Sequence, residues 1–210
     1  MTTISRYSVR RAFVTGAALV IGVYILLMTW SAIEARGPAA RVKELMPVIG
    51  AQIVDRPMTA LEANYPLEAG DPNEVAAPSR LGDLPRDTLI FLNFWATWCE
   101  PCVAELPSMI RLRREMAGRP FMMVAVSYDE SWEDVERFFG RVMGGVPREL
   151  VLARDPSEDE QAMLRTSFGT HKLPETYVIF NGRVLSRFVN AREWTDPTIV
   201  EYFERLTELR

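Results

Sequence analysis

The chain has 210 residues, of which 48% are hydrophobic and 25% charged, and its net charge at pH 7 is −4. This balance is typical of one globular domain with a short appendage, and it excludes a disordered or collagen-like chain. Residues 1–36 contain four arginines and one glutamate, so the rest of the chain carries a net charge of −7. An acidic body of this kind argues against nucleic acid as a partner.

An uncharged, mostly apolar run covers Ala12–Ile33 and follows Arg6, Arg10 and Arg11. About 20 apolar residues cross a bilayer, whereas the apolar core of a signal peptide has about 7–15. The run therefore predicts a retained transmembrane helix within residues 1–36, with the arginines in the cytoplasm and all later residues outside it. A cleaved signal peptide and a twin-arginine export signal are the alternatives, and each of them also exports the domain.

Residues 37–79 are rich in Pro, Ala, Glu and Asp and show no sustained hydrophobic period. This composition predicts a spacer that contains one short helix around Arg41–Met46. Apolar runs then alternate with helical spacing over residues 80–210, which predicts an α/β domain with the element order β-α-β-α-β-α-β-β-α.

The first two predicted strands are short and apolar, and the helix between them favours a parallel pair. The dipeptide Asn181-Gly182 predicts a tight hairpin between two later strands. In chain order the predicted elements are a strand at Thr88–Trp95, a helix at Cys102–Met116, a strand at Phe121–Tyr128, a helix from Ser131 to Gly144, a strand at Glu149–Ala153, a helix from Ser157 to Phe168, hairpin strands at Glu175–Phe180 and Arg183–Val189, and a last helix from Asp196 to Leu209.

The two cysteines, Cys99 and Cys102, lie where the first strand gives way to the first helix. A helix N-terminus favours the thiolate, which is the form that attacks disulfides, and Pro101 at an early helical position removes no needed N–H. A structural disulfide in so short a loop would remove only about 2 kcal/mol of unfolded-state entropy. A zinc site would need two more ligands, and His171 is the only histidine. The pattern therefore favours a redox-active CxxC pair.

The segments Phe94–Cys102 (FWATWCEPC) and Leu173–Thr176 (LPET) together closely resemble the membrane-anchored, exported thioredoxin-like proteins. This group includes the cytochrome c maturation reductases and their TlpA-type relatives. The resemblance implies a thioredoxin-like fold, with a central mixed sheet flanked by helices and the cysteine pair at the start of the first long helix. It also implies that Pro174 is cis and faces that pair.

The resemblance further implies a thiol–disulfide oxidoreductase in which Cys99 attacks and Cys102 resolves the mixed disulfide, with no metal or organic cofactor. Cytoplasmic thioredoxins keep a buried acid six residues before the first cysteine, where this chain has Asn93. Glu105 matches a glutamate of the membrane-anchored relatives and is predicted to exchange the Cys102 proton, because residues three apart on a helix are neighbours. The alternative is that Glu105 is a solvated helix charge.

Other residues are predicted to shape the active-site surface. Trp98 is expected to cover the thiols, and His171 to be an exposed loop residue. Glu100 and Glu175 would add negative potential at the rim, which opposes thiolate formation and favours a reductant over an oxidant. Glu175 also resembles an acid associated with substrate handling in the cytochrome c branch, and a plain strand-edge charge is its alternative. Lys172 departs from the family pattern, so different substrate contacts are expected there.

These interpretations lead to an expected membrane-tethered reductant on the periplasmic side of a bacterial inner membrane, crossing it once. Its expected partners are exported proteins with disulfides, such as apocytochrome c, and a membrane protein that donates electrons. A disulfide oxidase or isomerase of the same fold is one alternative. A copper-delivery module that holds the metal through Cys99, Cys102 and His171 is another.

Overall fold

The structure of the chain, a computed structural model, describes residues 19–30, 37–65, 80–155 and 164–209. The helices are residues 19–30 (α1), Pro38–Val48 (α2), Ala60–Asn64 (α3), Glu100–Glu115 (α4), Trp132–Met143 (α5), Leu164–Phe168 (α6) and Pro197–Thr207 (α7), with a 3-10 turn at Leu81–Asp83. The strands are Gln52–Pro57 (β1), Leu89–Trp95 (β2), Phe121–Ser127 (β3), Val151–Arg154 (β4), Glu175–Phe180 (β5) and Arg183–Val189 (β6).

The six strands form one mixed sheet in the order β1-β6-β5-β2-β3-β4. β2, β3 and β4 run parallel, while β5 pairs antiparallel with both β2 and β6. The hairpin turn at Asn181 and Gly182 has positive φ at both residues, as a two-residue type I′ turn requires. The predicted α/β class and the element order from the first core strand onward are confirmed.

The central strand β2 is buried along its whole length, because helices or strands cover every side of it. Its alternate residues point to opposite faces of the sheet. Phe91 and Trp95 belong to the apolar core that includes α4 and α7, whereas Leu92 and Phe94 belong to the core on the other face. Asn93 lies on the same face as Phe91 by this alternation, which turns it toward α4.

Residues 38–65 differ from the predicted spacer. The predicted short helix is present as α2, whose Leu45 and Met46 are buried in the same core as α4. β1 then pairs antiparallel with β6, so this segment supplies an edge strand of the sheet. The spacer prediction is corrected here, and the physical reason is a bulge: the β1 register shifts between Ile53 and Arg56, and Asp55 has positive φ, which breaks the alternation that predicts strands.

Two predicted elements lie partly outside the described residues. Residues 19–30 of the apolar run Ala12–Ile33 are helical, and the remainder of that run is not described. Within the described ranges, none of the helices combines the length and the apolar character needed to span a bilayer. The helix predicted from Ser157 is described only as α6, whose first backbone N–H groups, at Leu164 and Arg165, donate to the carboxylate of Asp155.

Candidate active site

Cys99 and Cys102 form a disulfide at the N-terminus of α4, with their Cα atoms 5.3 Å apart. β2 leads into a short loop, and Cys99 takes the extended N-cap conformation that starts the helix, with Pro101 in its first turn. Cys99 is 7% exposed and Cys102 is 1% exposed. The strand-to-helix junction thus brings the predicted redox pair together, with Cys99 the more accessible of the two.

A groove of about 660 Å³ opens beside the disulfide. Residues 98–101 line it at the start of α4, Tyr128 lines it just after β3, and Arg165 of α6 and residues 170–173 of the following loop complete it. Trp98, which is predicted to cover the thiols, is 68% exposed and forms part of the groove wall. His171 is an exposed loop residue, as predicted, and also lines the groove.

The peptide bond between Leu173 and Pro174 is cis, as the resemblance implies. Pro174 is buried immediately before β5, and its carbonyl accepts a hydrogen bond from Asn190 N at 3.1 Å. Leu173 lines the groove together with Cys99, so the loop that ends in this cis bond borders the disulfide.

Glu105 is buried on α4, one turn after Cys102, and is only 3% exposed. Its Oε1 accepts a hydrogen bond from Asn93 Nδ2 at 3.0 Å, and its Oε2 accepts from Trp194 Nε1 at 2.9 Å and from Arg192 N at 3.1 Å. Burial raises the pKa of Glu105 to about 7, although the three donors oppose that rise. This burial rules out the interpretation of Glu105 as a solvated helix charge.

Asn93 connects Glu105 to the centre of the sheet. Its Nδ2 also donates to Thr176 Oγ1 at 2.9 Å, so the amide bridges α4 and β5. The carboxyl of Glu105 therefore lies within 3.0 Å of the side chain that occupies the position of the thioredoxin acid. A titratable group is thus present beside that position, supplied by the helix instead of the strand.

The loop after β6 supplies two residues that sequence reasoning missed, Arg192 and Trp194. Trp194 is fully buried, and its backbone N–H donates to Ser108 Oγ on α4. The Arg192 side chain donates to the carbonyls of Ile49 and Gly50 at the end of α2. Hydrophobic spacing carries no signal for these contacts, because their partners lie more than 80 positions away in the chain.

Glu175 differs from its predicted place at the rim. It is 3% exposed at the start of β5, and its Oε1 accepts hydrogen bonds from Tyr177 Oη at 3.1 Å and from Arg187 Nη1 at 3.4 Å. Burial raises the pKa of Glu175. The prediction of a rim charge is corrected, because the Glu175 side chain lies beside Tyr177 on a face of the sheet that α6 covers and faces Arg187 of β6. Glu100, which is exposed and lines the groove, keeps its predicted place.

Within the described ranges, no group of three or more His, Cys, Asp or Glu side chains is arranged to hold a metal ion. His171 lines the groove near Cys99, but Cys99 and Cys102 are bonded to each other. The structure therefore shows the three residues of the copper-binding alternative only in the oxidised form of the pair.

Comparison with known proteins agrees with this geometry. Residues 87–183 match the family model described as thioredoxin-like. Thiol-disulfide oxidoreductase ResA of Geobacillus thermodenitrificans is 34% identical over 96 residues, which are 45% of this chain and 51% of the relative. The ResA protein of Bacillus thuringiensis subsp. konkukian is 27% identical over 119 residues, 56% of this chain and 63% of the relative. The chain thus spans about half to three fifths of the length of these relatives.

Solved structures show the same fold. A candidate thiol:disulfide interchange protein DsbE from Chlorobium tepidum has a TM-score of 0.56 at 23% identity. The match covers 74% of this chain and 99% of the Chlorobium chain. A secreted Mycobacterium tuberculosis disulfide oxidoreductase has a TM-score of 0.51 at 14% identity. The match covers 69% of this chain and 96% of the Mycobacterium chain. The thioredoxin-like fold implied by the sequence motifs is therefore confirmed.

Proposed function

Since this chain is a thioredoxin-like protein related to the ResA-type thiol-disulfide oxidoreductases, we propose that it reduces disulfides in exported proteins. The observation that carries the proposal is the Cys99–Cys102 pair, which lies at a helix N-terminus and borders an open groove. Aligned backbone dipoles at that position favour the thiolate of Cys99 over its thiol.

The reaction begins with the pair reduced. The Cys99 thiolate attacks one sulfur of the substrate disulfide, the substrate S–S bond breaks, and its second sulfur leaves as a thiolate that takes up a proton. Cys102 then attacks the Cys99 sulfur of the mixed disulfide, which releases the first substrate sulfur and forms the Cys99–Cys102 bond. Two electrons pass from the protein to the substrate, whose two sulfurs end as thiols: the Cys102 thiol supplies one of the two protons and solvent supplies the other.

Glu105 acts in the second step by accepting the proton of Cys102. A general base works best when its pKa lies near the operating pH, and the pKa of about 7 for Glu105 meets that condition. The hydrogen bonds from Asn93 and Trp194 hold the carboxyl on the face of α4 that Cys102 also occupies. Cys102 is the more buried thiol, so bulk water has less access to its proton.

The direction of electron flow in this proposal rests on the relation to the cytochrome c maturation reductases. Glu100, exposed in the first turn of α4, supports it, because a negative charge beside Cys99 destabilises the thiolate and makes the reduced pair a better electron donor. Arg165 and Lys172 line the same groove and act in the opposite sense, so the measured potential decides the direction. Apocytochrome c is the proposed substrate, by relation to the cytochrome c maturation group. The proposed location is the periplasmic face of the inner membrane, anchored through Ala12–Ile33, with a membrane protein as the source of electrons.

The reduction potential of the Cys99–Cys102 couple tests the proposal. Equilibrating the full-length protein with glutathione or dithiothreitol buffers and quantifying free thiols should give a value well below the potential of about −120 mV that is typical of a strong periplasmic oxidant. A value near or above that figure would assign the chain as a disulfide oxidase instead and leave its fold unaffected.

A further inference from the structure

The groove beside Cys99 is lined by two groups of residues that differ in charge. The start of α4 contributes Glu100, whereas α6 and the loop after it contribute Arg165, His171 and Lys172. Among the described residues that line the groove, Glu100 is the only acid. The body of the protein carries a net negative charge, so two permanent cations beside the disulfide stand out from their surroundings.

Arg165 is fixed in place before any substrate arrives. Its backbone N–H donates to Asp155 Oδ2 at 2.9 Å, and Tyr65 Oη donates to the other oxygen of Asp155 at 2.6 Å. The guanidinium carbon lies 4.7 Å from the centroid of the Tyr128 ring. A cation that is already ordered loses less conformational entropy when it binds an anion.

The Arg165 guanidinium lies over the Tyr128 ring, and no residue in the described part of the chain accepts a hydrogen bond from its N–H groups. Neither Arg165 nor Lys172 has a carboxylate ion-pair partner in the described part of the chain, in contrast with Arg187, which faces Glu175. The edge of a guanidinium matches the two oxygens of a carboxylate, to which it can make two parallel hydrogen bonds.

We propose that this groove selects protein disulfides whose attacked cysteine is flanked by an acidic side chain, with Arg165 and Lys172 as the residues that recognise the carboxylate. The inference rests on the proposed function and adds a substrate class to it. The substrate carboxylate lies between the two cations, while the exposed ring of Trp98 contacts apolar atoms of the same peptide. The preference comes from charge complementarity, so salt weakens it.

Three matched peptides test this substrate class. Each contains one intramolecular disulfide, and they differ only in having Glu, Gln or Lys next to the attacked cysteine. Their reduction by the reduced full-length protein is followed under single-turnover conditions. An exposed ion pair is worth up to about 1 kcal/mol, so the Glu peptide should react about 5-fold faster than the Gln peptide, with the Lys peptide slowest. Raising the salt concentration should bring the three rates together.

The double variant Arg165→Gln/Lys172→Gln should abolish the preference. The ratio of the Glu to the Gln peptide rate is the readout, because loss of two cations also changes the acidity of Cys99 and hence all absolute rates. Arg141→Gln is the matched control, since Arg141 is an exposed arginine on α5 that does not line the groove, and it should keep the wild-type ratio.

Two outcomes would overturn the inference: equal rates for the three peptides with the wild-type protein, or a preference that persists in the double variant. Failure of the proposed function has a different signature, because none of the three peptides would then be reduced, whatever its charge.

Discussion

The indole Nε1 of Trp194 donates a hydrogen bond to Glu105 Oε2 at 2.9 Å, although the two residues are 89 positions apart in the chain. The same oxygen accepts the backbone N–H of Arg192. The loop between β6 and α7 therefore fixes the carboxyl that we assign as the proton acceptor of Cys102. The acidity of Glu105 depends on this loop as well as on the helix that carries it.

Replacing Glu105 with Gln should slow the resolution of mixed disulfides and remove the pH dependence of that step around pH 7. The amide keeps the shape of the side chain but cannot exchange a proton. Stopped-flow measurement of resolution between pH 5 and 9 gives the profile. Glu115→Gln, at the exposed end of the same helix, is the control and should keep the wild-type profile. An unchanged profile in Glu105→Gln would leave the residue with a packing role only.

The stability of the oxidised protein should also depend on Glu105. Its pKa is raised from 4.5 to about 7 on folding, so the folded state binds more protons than the unfolded state between those values. The free energy of unfolding should therefore fall as the pH rises from about 4.5 to 7, by at most about 3 kcal/mol, and level off above that. Urea unfolding of the wild type and of Glu105→Gln at pH 5 and 8 measures the difference.

The same comparison separates Glu105 from Glu175, whose pKa is also raised by burial. Glu175 contributes a pH dependence of the same sign to both proteins, so it cancels in the difference between them. If the difference in free energy of unfolding between the wild type and Glu105→Gln is the same at pH 5 and pH 8, the buried carboxyl of Glu105 does not titrate in this range.

Trp194→Phe should raise the pKa of Glu105 further, because it removes a donor that stabilises the charged form and keeps most of the buried ring. The inflection in the resolution profile should move to higher pH. Trp95→Phe is the matched control: Trp95 is also fully buried, and its Nε1 has no hydrogen-bond partner in the described structure. Equal shifts in the two variants would attribute the effect to altered packing.

Cys102→Ser should accumulate covalent adducts with substrate, whereas Cys99→Ser should form few. Cys99 is the more exposed thiol and lies at the N-cap of α4, while Cys102 lies inside the first turn. Non-reducing electrophoresis with mass spectrometry of the trapped species measures this. Haem-attachment polypeptides should dominate for a cytochrome c reductase, and a mixed population would indicate a general reductant. Equal trapping by the two variants would contradict the assigned roles.

The apolar run Ala12–Ile33 should keep the full-length protein in the membrane. With a tag at the C-terminus, fractionation should place the uncleaved chain in membranes that resist salt and carbonate washes. A soluble, shortened product would identify the run as a cleaved export signal.

The sequence predicted the elements around the disulfide because their signals are local. Three signals are each contained in a short stretch of sequence: the apolar run before Cys99, the helical spacing after it, and the Asn181-Gly182 turn. The same reasoning placed Glu175 at the rim, because the sequence around Glu175 does not indicate that Tyr177 and Arg187 of β6 contact its carboxylate. It missed Arg192 and Trp194 because their contacts depend on how distant segments of the chain pack.

The pairing of β1 with β6 has a consequence for shortened forms of the protein. Gln52 and Arg187 are hydrogen-bonded across 135 positions, so the ribosome makes one strand long before its partner. Bringing such distant segments together is entropically costly and slows folding. A fragment that starts at residue 80 keeps the CxxC pair but leaves the backbone N–H and C=O groups along the outer side of β6 unpaired. An open edge of this kind recruits strands from other molecules, and such a fragment should therefore self-associate.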